Sequence, residues 1–276
     1  MKNILTFVIP VRHQDTAKSW QRVRKNLSET IASIANQDSD AWKAIIVANY
    51  GADLPDLPKG FDVKRVDFPP NELPEPGTVE KEQIYDAIRI DKGRRLLAGM
   101  LYAGEMGHVM TVDNDDFISR RLTSFVAANS KANGWYFRDG YVWGDGGRIL
   151  FRFTDFSRLC GTSHIVRADL FKLPSSLETA DETYIRRMIG SHLFLHDHLD
   201  KTGNPLEPLP FVGAIFRTNH PESGSQSGGV LRKYFFRKQM LTNPVVLGSR
   251  VRRLHLKTRR IDEEFMGRCN SLIPFS

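Results

Sequence analysis

Three carboxylates stand within four residues at Asp113-Asn114-Asp115-Asp116, directly after the apolar run Val109-Met110-Thr111-Val112. Like charges held this closely repel one another, and a cation relieves the repulsion. Hard oxygen donors of this kind suit Mg²⁺ or Mn²⁺, usually shared with the phosphates of a substrate. A divalent ion there would neutralise a diphosphate as it departs. The plainer alternative is a polar turn in which Asp115 or Asp116 caps the next segment. The apolar run before the cluster favours the metal. So do two other polar clusters that follow apolar runs, Pro10-Val11-Arg12-His13 and Asn49-Tyr50-Gly51-Ala52-Asp53.

A second group of reactive side chains lies in Ser191-His192-Leu193-Phe194-Leu195-His196-Asp197-His198. On a helix His192 and His196 share a face, being four residues apart. Asp197 lies about 100° around the axis from His196. A zinc-protease site would need a glutamate directly after His192, and Leu193 stands there, so that chemistry is set aside. A third segment, residues 220–229, is almost entirely small or polar and reads as a mobile loop.

The elements that must position these groups alternate through the first two-fifths of the chain. Residues 6–9 are an apolar, β-rich strand. Residues 19–36 read as a helix, because Val23, Leu27, Ile31 and Ile34 recur at three- and four-residue spacings. Residues 44–48 are wholly apolar, suited to a strand buried on both faces. Residues 63–68 form a candidate third strand, and the proline-rich 69–77 a loop. Residues 86–103 have a helical pattern, and 109–112 are a further buried strand. Strand–helix alternation with short apolar strands predicts a mostly parallel sheet flanked by helices. Ligands of such sheets sit beyond the C-terminal strand ends, which here carry the three polar clusters.

The second half is different. Residues 135–153 are rich in aromatic and β-branched side chains and are broken by Gly144-Asp145-Gly146-Gly147, a hairpin signal. Residues 164–166 read as a strand and 191–201 as a helix. Trp135, Tyr136, Phe137, Tyr141 and Trp143 could stack on sugar rings, though a core hairpin accounts for most of them.

The 276 residues are 41% hydrophobic, enough for one substantial core. Two cysteines are too few for a disulfide framework or a cysteine-rich zinc site. The N-terminal apolar run is too short for a signal peptide, and no stretch approaches a membrane span, so a cytoplasmic protein is expected. Net charge is +7, yet residues 231–260 hold ten Lys/Arg and no Asp/Glu, leaving the rest of the chain at −3. That basic, aromatic-bearing segment suits an anionic membrane surface, peripheral at the inner face of the membrane, or a basic helix packed on the main domain.

Residues 6–12, 45–49 and 109–116, in this order and spacing, resemble a GT-A (Rossmann-like) glycosyltransferase of the family 2 type found in bacterial polysaccharide biosynthesis. Residues 137–171 and the stretch from Gly190 to Arg217 are similar to the acceptor side of such enzymes. The resemblance implies a sugar transfer, inverting by family habit, from a nucleotide-diphosphate donor with UDP-sugar favoured. It implies a saccharide or lipid-linked glycan as acceptor, a hexosyl group as cargo and Mn²⁺ or Mg²⁺ as cofactor. Pro10, Arg12 and the Asn49–Asp53 turn would line the base and ribose, with Asp53 or Asn49 in the acidic role. Asp91 and Lys92 match a stretch that contacts nucleotide or phosphate. Asp113, Asn114 and Asp115 match the Asp-x-Asp motif, with Asp115 the preferred metal ligand, Asp113 and Asp116 beside it and a late histidine, His220, completing the set. The general base is expected in the acceptor half, Asp197 first and His192 second.

The expected organisation is a catalytic domain over residues 1–230, with a nucleotide-sugar half (1–120) and an acceptor half (121–230), then a basic helical extension over 231–276. A nucleotidyltransferase is the competing enzyme class. It needs a glycine-rich loop after the first strand, and Val11-Arg12-His13-Gln14-Asp15 has no glycine. A nucleic-acid-binding module is disfavoured, because the charge is confined to one segment and no binding motif accompanies it.

Overall fold

The computed structural model describes residues 4–74, 78–218, 248 and 250–267. Strand β1 (Leu5–Pro10) is buried along its whole length. It runs parallel to β2 (Trp42–Asn49) on one side and to β4 (His108–Thr111) on the other, with β3 (Phe61–Val66) outside β2. These four parallel strands form one side of a seven-stranded sheet, with β3 at its edge. Beyond β4 come β9 (His164–Arg167), antiparallel, then β6 (Gly134–Tyr136) and the short β10 (Glu207–Pro208). The predicted mixed α/β architecture with a mostly parallel sheet is what the chain adopts.

Alternation along β1 and β2 decides which helix covers which face. Phe7, Ile9, Ala44 and Ile46 pack with Val23, Leu27, Ile31 and Ile34 of helix α1 (Trp20–Ala35). Val8, Ile45 and Val47 pack with Leu96, Leu97 and Met100 of helix α2 (Lys81–Ala103). Helix α1 starts where the Ser19 side chain accepts from the amide of Arg22. Helix α2 begins five residues earlier than its apolar pattern suggests. Its first turns are held by Arg89, which pairs with Glu82 and Asp86, so ion pairs extend the helix where no apolar face exists. Gly104, with φ of 67°, ends it.

After β5 (Phe117–Ile118) and α3 (Leu122–Ala128), the aromatic stretch divides. Strand β6 joins the first sheet, while β7 (Gly140–Gly144) and β8 (Ile149–Phe153) form an antiparallel hairpin in a second, five-stranded sheet. The expected single hairpin over 135–153 is therefore two units, separated where Gly140 lies against the ring of Phe156 in helix α4 (Phe156–Leu159). Trp135, Phe137 and Trp143 are core residues and are unavailable for sugar stacking. The second sheet is completed by β11 (Ala214–Thr218), parallel to β7 and antiparallel to β5, and by β12 (Leu254–Leu256), antiparallel to β8.

The expected helical extension over 231–276 lies largely outside the described residues. Its described part mixes strand and helix. Strand β12 and helix α7 (Arg259–Ile261) lead to Phe265 and Met266, which are buried with Phe117, Trp143, Leu150 and Ile215. The apolar residues of this stretch close the second sheet's core, and that burial decides their conformation. The aromatic residues 234–236 and Lys/Arg at 232, 233, 237 and 238 fall outside the described residues.

One contact fixes the distance between the two helices that carry the reactive side chains. Short helix α5 (Glu182–Tyr184) continues into a wider π-helical turn, Ile185–Ile189, ahead of helix α6 (His192–Lys201). That turn lies against α2. A Cβ at Gly190 would stand 2.0 Å from the carbonyl oxygen of Arg89, and one at Gly93 would stand 2.5 Å from that of Ile185. Neither backbone can swing aside. Gly190→Ala should lower stability by about 1–3 kcal/mol, a fall in Tm of roughly 2–4 °C per kcal/mol at this chain length. Gly248→Ala, where an added Cβ meets nothing within 4 Å, should leave Tm nearly unchanged in the same calorimetric scan.

Candidate active site

The register of β1 against its neighbours places three strand ends side by side. Val8 pairs with Thr111 of β4, and Pro10 with Val47 of β2. The polar residues that follow these strands therefore share one edge of the sheet, as the strand order predicted.

Their side chains do different things there. Asn49 is 2% exposed and is used inside the protein. Its amide oxygen accepts from Arg95 Nη1 at 2.7 Å, and its Nδ2 donates to the carbonyl of Phe68 at 2.6 Å. Asp91 grips the same buried Arg95, with Nε and Nη2 donating at 3.0–3.2 Å. Asn49 and Asp91 thus hold the turn after β2 against α2 through one guanidinium and do not present free polar groups to a nucleotide. Asp53 stands at the rim, exposed, 3.2 Å from Arg24. Arg12 and Asn114 are half-buried at the edge, and Pro10 is buried beneath it.

The carboxylate run separates into members with opposite fates. Asp113 accepts from Lys92 Nζ at 2.5 Å, and its amide donates to Thr162 Oγ1 at 2.9 Å. Asp116 is fully buried. Its Oδ1 accepts from the amide of Arg217 at 3.1 Å and its Oδ2 from the Cys160 thiol at 3.2 Å. Burial first, then the charges of Asp115 and Asp113, push its pKa well above the usual carboxyl range. Both of its oxygens are turned inward to Arg217 and Cys160, away from the edge. Asp113 is thus on Lys92 and Asp116 is turned inward, so these two do not face one cation, while Asp115 is half-buried at the edge. Among the described residues, no three His, Cys, Asp or Glu side chains are grouped to hold a metal ion. His220, expected to complete that set, lies outside the described residues.

The structure brings His192 to the strand-end cluster and leaves Asp197 out. Asp197, the first choice for a general base, is exposed on α6 and is not among the side chains nearest Gly161. The cause is helical phase, since Leu195 and Leu199 must face the core and turn position 197 to solvent. His192, Lys92 and Asp113 meet over Gly161. A Cβ added there would lie 2.7 Å from Lys92 Nζ, 3.1 Å from Asp113 Oδ2 and 3.8 Å from His192 Nδ1. Lys92, His192, Gly161, Thr111 and His164 line a recess of about 20 Å³, and the Nε2 of His192 is buried without a hydrogen-bond partner.

Sequence reasoning missed the segment Cys160-Gly161-Thr162-Ser163-His164. Its small residues let the chain pass under α6, and Thr162 stitches it to the end of β4. The run of small side chains ahead of a strand was the available signal. Ser163 donates to the carbonyl of Cys160 at 2.5 Å, so His164 Nδ1 must donate to Ser163 Oγ, 3.0 Å away. His164 Nε2 then accepts from His196 Nδ1 at 3.2 Å. A neutral His164 fits its pKa, which burial and the neighbouring His192 and His196 drive well below the usual value.

No family model matches the chain, and no curated protein matches it. Among solved structures it is similar to S. aureus TarS, residues 1–349, at 16% identity and a TM-score of 0.43, over 79% of this chain and 60% of that one. The same protein in complex with UDP-GlcNAc aligns at 15% identity and a TM-score of 0.45, over 83% and 62%. Rv0371C of Mycobacterium tuberculosis H37Rv, in complex with manganese, aligns at 9% identity and a TM-score of 0.32, over 78% and 91%. The chain spans about 60% of the length of the TarS structure it matches.

Burial, with the charge of Lys92 next and Asp113 opposing, lowers the pKa of His192 from 6.5 to about 4. The folded protein keeps this ring neutral while the unfolded chain protonates it. The contribution to stability is complete above pH 6.5 and is lost as pH falls towards 4. Between pH 6.5 and 5 the loss should reach about 2 kcal/mol. His192→Asn should flatten the pH dependence by that amount in urea unfolding at pH 7 and pH 5. An unchanged slope would mean that the ring titrates normally.

Proposed function

We propose that this chain is a glycosyltransferase that moves a hexosyl group from a nucleoside-diphosphate sugar, UDP-sugar by preference, to a hydroxyl of a saccharide or lipid-linked glycan. The observation that carries the reading is the meeting of Lys92, Asp113 and His192 at the C-terminal end of a parallel sheet. Anionic ligands bind at such an edge, and here a fixed ammonium and a proton acceptor face the same recess.

The chemistry asks little of the protein beyond placement. In a single displacement the acceptor oxygen forms a bond to the anomeric carbon while the bond from that carbon to the phosphate oxygen breaks. The electron pair leaves with the nucleoside diphosphate, the anomeric configuration inverts, and the hydroxyl proton passes to a base. His192 is that base in this reading. Its Nδ1 stands beside Gly161 with Lys92 and Asp113, and the ring stays neutral at pH 7. The residues holding the donor are those at the edge, Arg12, Asp53, Lys92, Asp113, Asn114 and Asp115, with Pro10 beneath them. Asn49 and Asp91 position them through Arg95. No helix among the described residues is long and apolar enough to cross a membrane. Of the ten basic residues at 231–260 proposed for membrane contact, four fall outside the described residues.

Calorimetric titration with UDP, GDP and CMP tests the donor site directly. One of the three should bind, and silence from all three would end the transferase reading. His192→Ala should lower kcat for sugar transfer about 10²–10⁴-fold while donor affinity stays within a few-fold. A variant with full kcat would remove His192 from the chemistry.

A further inference from the structure

The strand-end aspartates have a cation already, and it belongs to the protein. We infer that the ammonium of Lys92 takes the place of a divalent metal in this site, so that the donor diphosphate is bound, and its departing charge met, without Mn²⁺ or Mg²⁺. The inference rests on the donor-site reading above and deepens it.

Four observations meet here. Lys92 Nζ lies 2.5 Å from Asp113 Oδ1, at the first carboxylate after β4. Asp116, the last carboxyl of the run, is committed to the amide of Arg217 and the thiol of Cys160 inside the core and adds no charge beside Asp113. The lysine is placed by rigid elements. It sits on α2 between Asp91, which holds Arg95, and Gly93, which lies against the backbone of Ile185. Finally, residue 161 is glycine. A side chain there would begin 2.7 Å from the ammonium and would displace it from its place over the strand end.

The electrostatics agree, because a carboxylate within hydrogen-bond distance favours the charged form of an amine. An ammonium has three N–H donors. One reaches Asp113, and two remain for phosphate oxygens. A preorganised charge of this kind lowers the cost of a departing diphosphate as a metal would, without the entry and exit of an ion. Proton and electron accounting is unchanged, because Lys92 stays protonated and the diphosphate leaves with the electron pair of the broken bond.

The test is calorimetric titration of the 276-residue chain with UDP, GDP and CMP, each in EDTA and each in Mn²⁺. Wild type should bind one nucleotide with affinities in the two buffers that agree within about threefold, because the fixed amine already supplies the charge. Lys92→Met should weaken that binding by about 10- to 100-fold, the range for hydrogen bonds to a charged group, and Lys92→Arg should recover part of the loss. A thermal scan checks that each variant is folded, and the EDTA arm on wild type stands even if Lys92→Met is not. Binding that appears only with Mn²⁺, or a folded Lys92→Met variant as tight as wild type, overturns the inference and leaves the donor site intact. Failure of every nucleotide in both buffers overturns the transferase reading and this inference together.

Discussion

The carboxyl of Asp116 has no access to water, and the relation between the two sheets depends on how it is satisfied. One oxygen takes the amide of Arg217 in β11, the other the thiol of Cys160, and the residue's own carbonyl accepts from Thr30 of α1 at 2.9 Å. A buried carboxyl left unpaired costs several kcal/mol, so these partners must be present together or the local fold fails. Second sheet, helix α1 and the loop under α6 therefore meet at one point. The same requirement turns the chain after β4, leaving Asp113 at the edge and drawing Asp116 away from it.

Two buried guanidiniums extend this principle across the molecule. Arg217 is 1% exposed and donates to Asn26 at 2.7 Å and to Glu29, with its guanidinium 4.5 Å from the ring centre of Phe117. Burial alone would raise the pKa of Glu29, yet Arg217 and Lys25 hold it below the usual range. Arg95 does the equivalent work between α2 and the turn after β2. A buried charge is tolerated only when paired and hydrogen-bonded. Each arginine therefore fixes its neighbours in one arrangement, and each stands next to a strand end that carries the proposed donor site. Rigidity of the edge is a consequence of these pairs.

The histidines show how burial sorts chemically identical groups. His164 is enclosed, hydrogen-bonded on both nitrogens and held neutral. His192 is also held neutral, but its Nε2 is buried without a hydrogen-bond partner and its Nδ1 stands beside Gly161 near Lys92. Only the second has an atom available for proton transfer. The difference comes from one turn of α6 and from the close approach of Gly190 to α2, which sets His192 beside Lys92.

The amino-acid sequence by itself determined the strand–helix alternation, the two-sided burial of β1 and β2 and the shared edge of the strand-end clusters. These follow from local periodicity and chain order, which act over a few residues. It also marked Lys92, Asp113 and His192 as candidates. What it could not express is where a side chain spends its hydrogen bonds. Asn49, Asp91 and Asp116 have the right types for a ligand site, yet Arg95, Arg217 and Cys160 claim them, and those partners lie up to 101 residues away in the chain. Asp197 was turned to solvent by the phase of α6, set by which leucines face the core. The aromatic stretch at 135–153 was divided between two sheets by packing around Phe156. Periodicity is a local property and can be read along the chain. Saturation of buried polar groups is settled among residues distant in sequence, and only the tertiary structure decides it.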